Sequence, residues 1–192
     1  EYGSIRNAEI AFRMKSGEIR NFITSLEIID MDGEEHLIVT TKDITERIRM
    51  EEELRLSEEC FSKAFNASPI QMTISTLEDG RFIHANDAYC NTLGYSREDT
   101  LDRTSFELGV WSDLADREQV KQKIMANQSV KNMEISFTKK TGEQRLGLLS
   151  AEGIEIHGEL CILSTLTDIT DLRKMEIEMT RLDRLNMVGE MA

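Results

Sequence analysis

Residues 167–192 read T-D-I-T-D-L-R-K-M-E-I-E-M-T-R-L-D-R-L-N-M-V-G-E-M-A, and the junction at their start decides the fold. A strand-like run, Leu160 to Leu166, ends there. Asp168 then offers an N-cap side chain, with Asp171 three residues on, a variant of the capping box. No glycine or proline follows until Gly189, and helix formers predominate. Leu172, Met175, Met179 and Leu182 stand at 3-4 spacing, continued by Asn186 and Gly189. That is a heptad seam, the mark of a helix that pairs with another. A single amphipathic helix lying on its own domain would use similar spacing. The heptad favours a dimeric helix that carries a signal outward from the domain before it.

Working outward, the same arrangement occurs upstream. Asp43-Ile44-Thr45 opens a helix that runs through Met50 and Leu54, and Asp43 precedes Asp168 by 125 residues. At that constant offset, without a gap, much of 4–54 lies over 129–179. Asn7 matches Asn132, Glu9-Ile10 matches Glu134-Ile135, and Phe12 matches Phe137. Gly17-Glu18, Arg20, Ser25 and Gly33-Glu34 match Gly142-Glu143, Arg145, Ser150 and Gly158-Glu159. The chain therefore reads as the end of one domain (1–43), a connecting helix (44–65), a whole second domain of the same kind (58–170) and another helix (171–192).

The totals set bounds. A net charge of −13 over 192 residues argues against nucleic acid or an anionic membrane surface as partner. Cys60, Cys90 and Cys161 are odd in number and widely spaced, as free thiols in a reducing compartment would be. No run approaches membrane-spanning length. The expectation is a cytoplasmic fragment with no membrane contact of its own, which could still belong to a membrane-anchored protein.

Along the chain, residues 1–43 predict three antiparallel strands joined by tight turns at Lys15–Glu18 and Asp32-Gly33. After the first helix, Ile70–Leu77 and Arg81–Ala85 predict a hairpin. Short helices follow at Asn86–Leu93 and Ser96–Asp99, then a longer one over 113–127 capped by Ser112, with Leu114, Val120 and Ile124 inward. Three strands then repeat the first copy. The fold class is α+β: a five-stranded antiparallel sheet with short helices on one face, a partial sheet of the same kind, and long connecting helices.

Several stretches resemble the PAS sensory domain: D-G-R-F-I-H-A-N-D-A-Y (79–89), L-G-Y-S-R-E-D (93–99), L-G-V-W-S-D (108–113), K-K-T-G-E (139–143) and D-I-T (168–170). Together they cover nearly all of 58–170. Residues 4–45 look like the last three strands of a preceding PAS domain. The resemblance implies that Asp43, Ile44, Thr45 and Asp168, Ile169, Thr170 relay a signal from sheet to helix. Residues 181–192 look like the approach to the phosphoacceptor helix of a sensor histidine kinase. A homodimer, a downstream kinase core and a response regulator are thereby implied. A different output, such as a nucleotide cyclase, is the rival expectation. The fragment itself is not expected to be an enzyme. His36, His84 and His157 lie in predicted strands or turns, and ATP-binding motifs are absent.

PAS domains often hold a small ligand between sheet and helices. The histidine that haem-binding members carry on the long helix is missing from 113–127, and the reactive-cysteine stretch of flavin photoreceptors is absent. Neither haem nor flavin is therefore expected, no metal site is predicted, and a small-molecule ligand stays open. A pocket would be lined from among Met72, Ile74, Phe82, Asn86, Phe106, Trp111, Ile124, Met133, Ile135, Leu149 and Leu163. The same residues would equally fill a core. Asn86 has a second role open to it, as cap of the helix that follows.

Overall fold

The computed structural model describes residues 4–189, with side chains as far as residue 182. The chain divides into two compact units, Glu1–Ser62 and Lys63–Ala192.

In the first unit, β1 (Ser4–Arg13), β2 (Ile19–Met31) and β3 (Glu34–Asp43) form an antiparallel sheet in that order. The hairpin turns need positive φ, and Gly17 and Gly33 supply it at 88° and 84°. Phe12 meets Phe22 edge-on at 5.6 Å, while Phe12, Leu37, Ile38 and Val39 stay exposed. Helix α1 (Thr45–Ala67) follows. Met50, Leu54 and Phe61 on it are exposed.

The second unit is built on a five-stranded antiparallel sheet in the order β5-β4-β8-β7-β6. The strands are β4 (Gln71–Thr76), β5 (Phe82–Ala85), β6 (Val130–Thr138), β7 (Gln144–Ile156) and β8 (Glu159–Asp168). The first strand of the unit thus pairs with the last: Gln71 stands opposite Leu166, at the end where β8 leaves the sheet. Between β5 and β6 the chain forms α2 (Asp87–Leu93), α3 (Arg97–Thr100) and α4 (Leu114–Met125). Leu93 and Tyr89 from α2 and Val120 and Ile124 from α4 bury themselves against Ile135, Phe137, Leu149 and Ile162 of the sheet. Removal of that apolar area from water is the main stabilising term. Helix α5 (Thr170–Gly189) then leaves the sheet.

Two details of α4 correct the sequence reading. Asp113, not Ser112, is the N-cap, accepting from the Ala115 amide at 2.8 Å. The Ser112 hydroxyl is engaged by Thr138 at 2.9 Å. Leu114 is exposed, and the side chain buried one turn on is Arg117.

Asn86 closes the start of the second unit. It is fully buried at the N-cap of α2, where its Oδ1 accepts from the Tyr89 and Met72 amides, both at 2.9 Å. Its Nδ2 donates to the carbonyls of Ile70 (2.8 Å) and Phe65 (3.1 Å), the latter in the last turn of α1. A helix end leaves carbonyls without partners, and this amide supplies one.

Candidate functional site: two sheet exits and a polar cavity

The two D-I-T segments adopt one geometry. At the second, Asp168 Oδ1 accepts from the Thr170 amide at 2.9 Å and Thr170 Oγ1 accepts from the Leu146 amide at 2.9 Å. The Ile169 amide donates to the Leu146 carbonyl at 2.9 Å, so the last strand is fastened to β7 as the helix begins. At the first, Asp43 Oδ1 accepts from Thr45 at 2.9 Å, Thr45 Oγ1 accepts from the Asn21 amide at 2.8 Å, and Ile44 donates to the Asn21 carbonyl at 2.9 Å. Ile44 and Ile169 are both buried at 6% exposure, which anchors each junction in its own unit.

Each junction also has an arginine that sequence reasoning matched but gave no role. Arg20 reaches Asp43 at 3.4 Å, and Arg145 reaches Asp168 at 3.8 Å and Asp171 at 3.4 Å. Asp171 is therefore held by Arg145 rather than completing a capping box with Asp168. At Asp43, the bonds from Thr45 and then the Arg20 charge hold the carboxyl below its ordinary range.

The duplication extends into the sheets. Asn7 and Asn132 sit in matching β-bulges at φ 54° and 48°. Their amides donate to Ser25 Oγ at 3.0 Å and Ser150 Oγ at 3.1 Å. Asparagine tolerates the left-handed conformation, and the serine occupies the amide that the bulge removes from the ladder.

Beyond the second junction, Leu172, Met175, Met179 and Leu182 are all at least half exposed on α5. Asn186 lies on the same helix, with its side chain outside the described residues.

Between sheet and helices of the second unit lies a cavity of about 60 Å³. Four of the expected pocket residues line it: Phe82, Trp111, Ile135 and Leu149. The other seven do not. Met72, Ile74 and Leu163 fall on the alternate positions of their strands, because the residues of β4 and β8 that face the cavity are Gln71, Thr73, Ser75, Ile162, Ser164 and Leu166. Asn86 is spent on backbone bonds, Ile124 and Met133 pack elsewhere in the core, and Phe106 is exposed with the Arg117 guanidinium over its ring at 5.5 Å.

The cavity lining that sequence reasoning missed is polar. Tyr89, Ser105 and Arg117 join Gln71, Thr73, Ser75 and Ser164 around it. The only signal was the alternation of Q-M-T-I-S-T (71–76), in which the polar set could be turned inward. Arg117 is 4% exposed and donates to the Leu77 carbonyl at 3.1 Å. Burial lowers its pKa from the usual guanidinium value. Burial likewise pushes the Tyr89 phenol well up, so it stays protonated.

Among the described residues no cluster of three or more His, Cys, Asp or Glu is arranged to hold a metal ion. No helix among them is long and apolar enough to cross a membrane.

The chain is 29% identical over its whole length to sporulation kinase E of Bacillus subtilis (strain 168), and spans about a quarter (25%) of that protein's length. Among solved structures, the PAS domain of an HTR-like protein from Haloarcula marismortui superposes with a TM-score of 0.55 at 21% identity. It covers 63% of this chain and 98% of that one. A PAS domain from a two-component sensor histidine kinase gives 0.50 at 20% identity, over 59% and 97% of the two chains. The PAS domain family matches residues 70–171, more than half of the chain, over the sheet and helices just described. This chain belongs to the PAS domain family.

Proposed function

We propose that the chain is the sensory and signal-relay region of a two-component sensor histidine kinase. In this reading residues 1–43 are the last three strands of a first PAS domain, and 58–170 are the second. A signal passes from each sheet through Asp43-Ile44-Thr45 or Asp168-Ile169-Thr170 into α1 or α5, and from 171–192 into a kinase core that phosphorylates a response regulator. The fragment itself binds and relays, without catalysis, haem or flavin, on the cytoplasmic side.

The observation that carries this reading is the repeated junction. Two segments 125 residues apart spend the same two side chains and the same backbone amide on the same backbone groups, to within about 0.1 Å. A turn that merely ended a strand would not need a buried isoleucine, a threonine tied to the neighbouring strand and a helix of 20 or more residues after it. Similarity of the whole chain to a quarter of a sporulation kinase supports the choice of output.

The exposed heptad on α5 then needs a partner, and a second copy of the chain is the simplest closed solution. The exposed Phe12 and Val39 of the first sheet give the same copy a further apolar surface to cover. A Leu182→Cys variant tests the arrangement. A parallel helix pair sets the two cysteines side by side, and mild oxidation yields a disulfide-linked dimer in high yield. A chain that stays monomeric under those conditions overturns the dimeric relay.

A further inference from the structure

We propose that the cavity of the second unit is a receptor site for a small monocarboxylate of two or three carbons, with Arg117 as its counter-ion and Tyr89, Ser105 and Gln71 as its polar contacts. This deepens the sensor reading by naming the ligand class.

Three residues that line this cavity each carry a buried side-chain atom with no hydrogen-bond partner within the described protein: Gln71 Oε1, Tyr89 Oη and Ser105 Oγ. Their residues are 5%, 4% and 5% exposed. An unpaired buried polar group is costly, so three around one cavity mark a place built for polar contents.

Arg117 makes those contents anionic. Its guanidinium carries five donors, of which Nη2 is engaged by the Leu77 carbonyl. Among the described residues it forms no salt bridge; the Glu118 and Asp79 charges favour its charged form only from beyond contact, and the Phe106 ring centroid lies 5.5 Å away. A buried cation is held at a large desolvation penalty unless an anion accompanies it. The fold makes room for it at close quarters. A Cβ placed on Gly80 would stand 2.7 Å from Ser105 Oγ and 3.0 Å from Arg117 Nη2, so only glycine lets that turn approach both.

Size and lining complete the description. A volume of about 60 Å³ exceeds the ~10–15 Å³ that one water needs and falls well below the ~300–1,000 Å³ of pockets for larger ligands. Thr73, Ser75 and Ser164 also line the wall, and its apolar part, with Val110, Val120, Ile135 and Phe137, suits a methyl group. A carboxylate head on Arg117, Ser105 and Tyr89 with a short alkyl tail satisfies both halves. Gln71 can present its amide nitrogen instead of Oε1 by rotating about its last bond. It stands opposite Leu166, two residues before Asp168, so occupancy reaches the strand that opens the second junction.

The test titrates the 192-residue chain with sodium acetate and sodium pyruvate. Acetamide serves as the uncharged isostere, and sodium chloride matches the ionic strength. Amide chemical shifts and the thermal midpoint are the readouts. Acetate or pyruvate should raise the midpoint and shift the amides of Gln71, Ser105 and Leu166, with no effect from acetamide. Ser105→Ala and Tyr89→Phe keep the shape of the cavity and should weaken carboxylate binding at least threefold each, and Arg117→Met at least tenfold. An equal response to acetamide, no response to either carboxylate, or unchanged affinity in Ser105→Ala and Tyr89→Phe overturns the proposal. The Leu182→Cys cross-link separates the two readings. Dimerisation without carboxylate binding sinks the ligand class alone, and binding without dimerisation sinks the relay alone.

Discussion

The Thr170 hydroxyl accepts the backbone amide of Leu146 at 2.9 Å, binding the first residue of α5 to the beginning of β7, the strand beside β8. Removing that hydroxyl while keeping the shape leaves a part-buried amide without its partner. Thr170→Val should therefore lower the stability of the second unit by about 1–2 kcal/mol. Hydrogen exchange at the Leu146 amide should accelerate by about tenfold, and Thr170→Ser should restore most of the protection. Exchange measured residue by residue checks this.

Asp43 offers a test by titration. Its carboxyl is held below the ordinary range, first by the Thr45 hydroxyl and amide and then by the Arg20 charge. A folded-state pKa below the unfolded one favours the fold above the unfolded value, about 3.9 for aspartate. That contribution is lost as pH falls through the depressed folded value. The first junction should thus hold at neutral pH and loosen only in acid. Carbon-detected NMR should place the Asp43 midpoint under that of an exposed aspartate, and Thr45→Val should move it up.

Asn86→Ala should be among the most damaging single changes in the second unit. It strands the Met72 and Tyr89 amides and removes the donor to the Phe65 and Ile70 carbonyls. A loss of about 3 kcal/mol or more is expected. Asn86→Asp keeps the acceptor but sets a carboxylate against two carbonyl oxygens. Its folded pKa is then raised, so the variant should regain stability as pH falls below that value. Denaturant unfolding of both variants at pH 5 and pH 8 checks the contrast.

Gly80→Ala combines two penalties. The backbone there is at φ 71°, and the added methyl would meet Ser105 Oγ and the Arg117 guanidinium. A destabilisation of about 1–3 kcal/mol follows from strain plus crowding. Thermal unfolding measures the loss, and the amide shifts of Ser105 and Arg117 should move most.

The strands were legible because gapless repetition fixed the three-strand segment twice, and because Gly17, Gly33, Gly142 and Gly158 punctuate it at turns that need positive φ. The cavity was much less so. Alternation in Q-M-T-I-S-T gives two faces, but pattern alone points the apolar one inward, and here Gln71, Thr73 and Ser75 face the cavity. Arg117 was hidden for a similar reason. It stands three residues from both Leu114 and Val120, on the face read as inward, but among Asp116, Glu118 and Lys121 a charged side chain gives no sign of burial, which only the folded structure discloses. At the junctions, the Asp168 side chain was expected at the cap, and it takes the first helical amide from one residue before the cap position, which Ile169 fills. That Thr170 spends its hydroxyl on another strand could not be read from a segment in isolation.

The repeated junction has a genetic consequence. Because both copies break at the same chemical point, the stretch 44–168 is a cassette of one whole period. Excising it joins Asp43 to Ile169 and regenerates D-I-T across the scar, with Arg20 and Asn21 where Arg145 and Leu146 had been. Inserting a further copy would do the same in reverse. A chain with this repeat can therefore gain or shed one whole period by recombination between the two copies, without any new linker having to be invented.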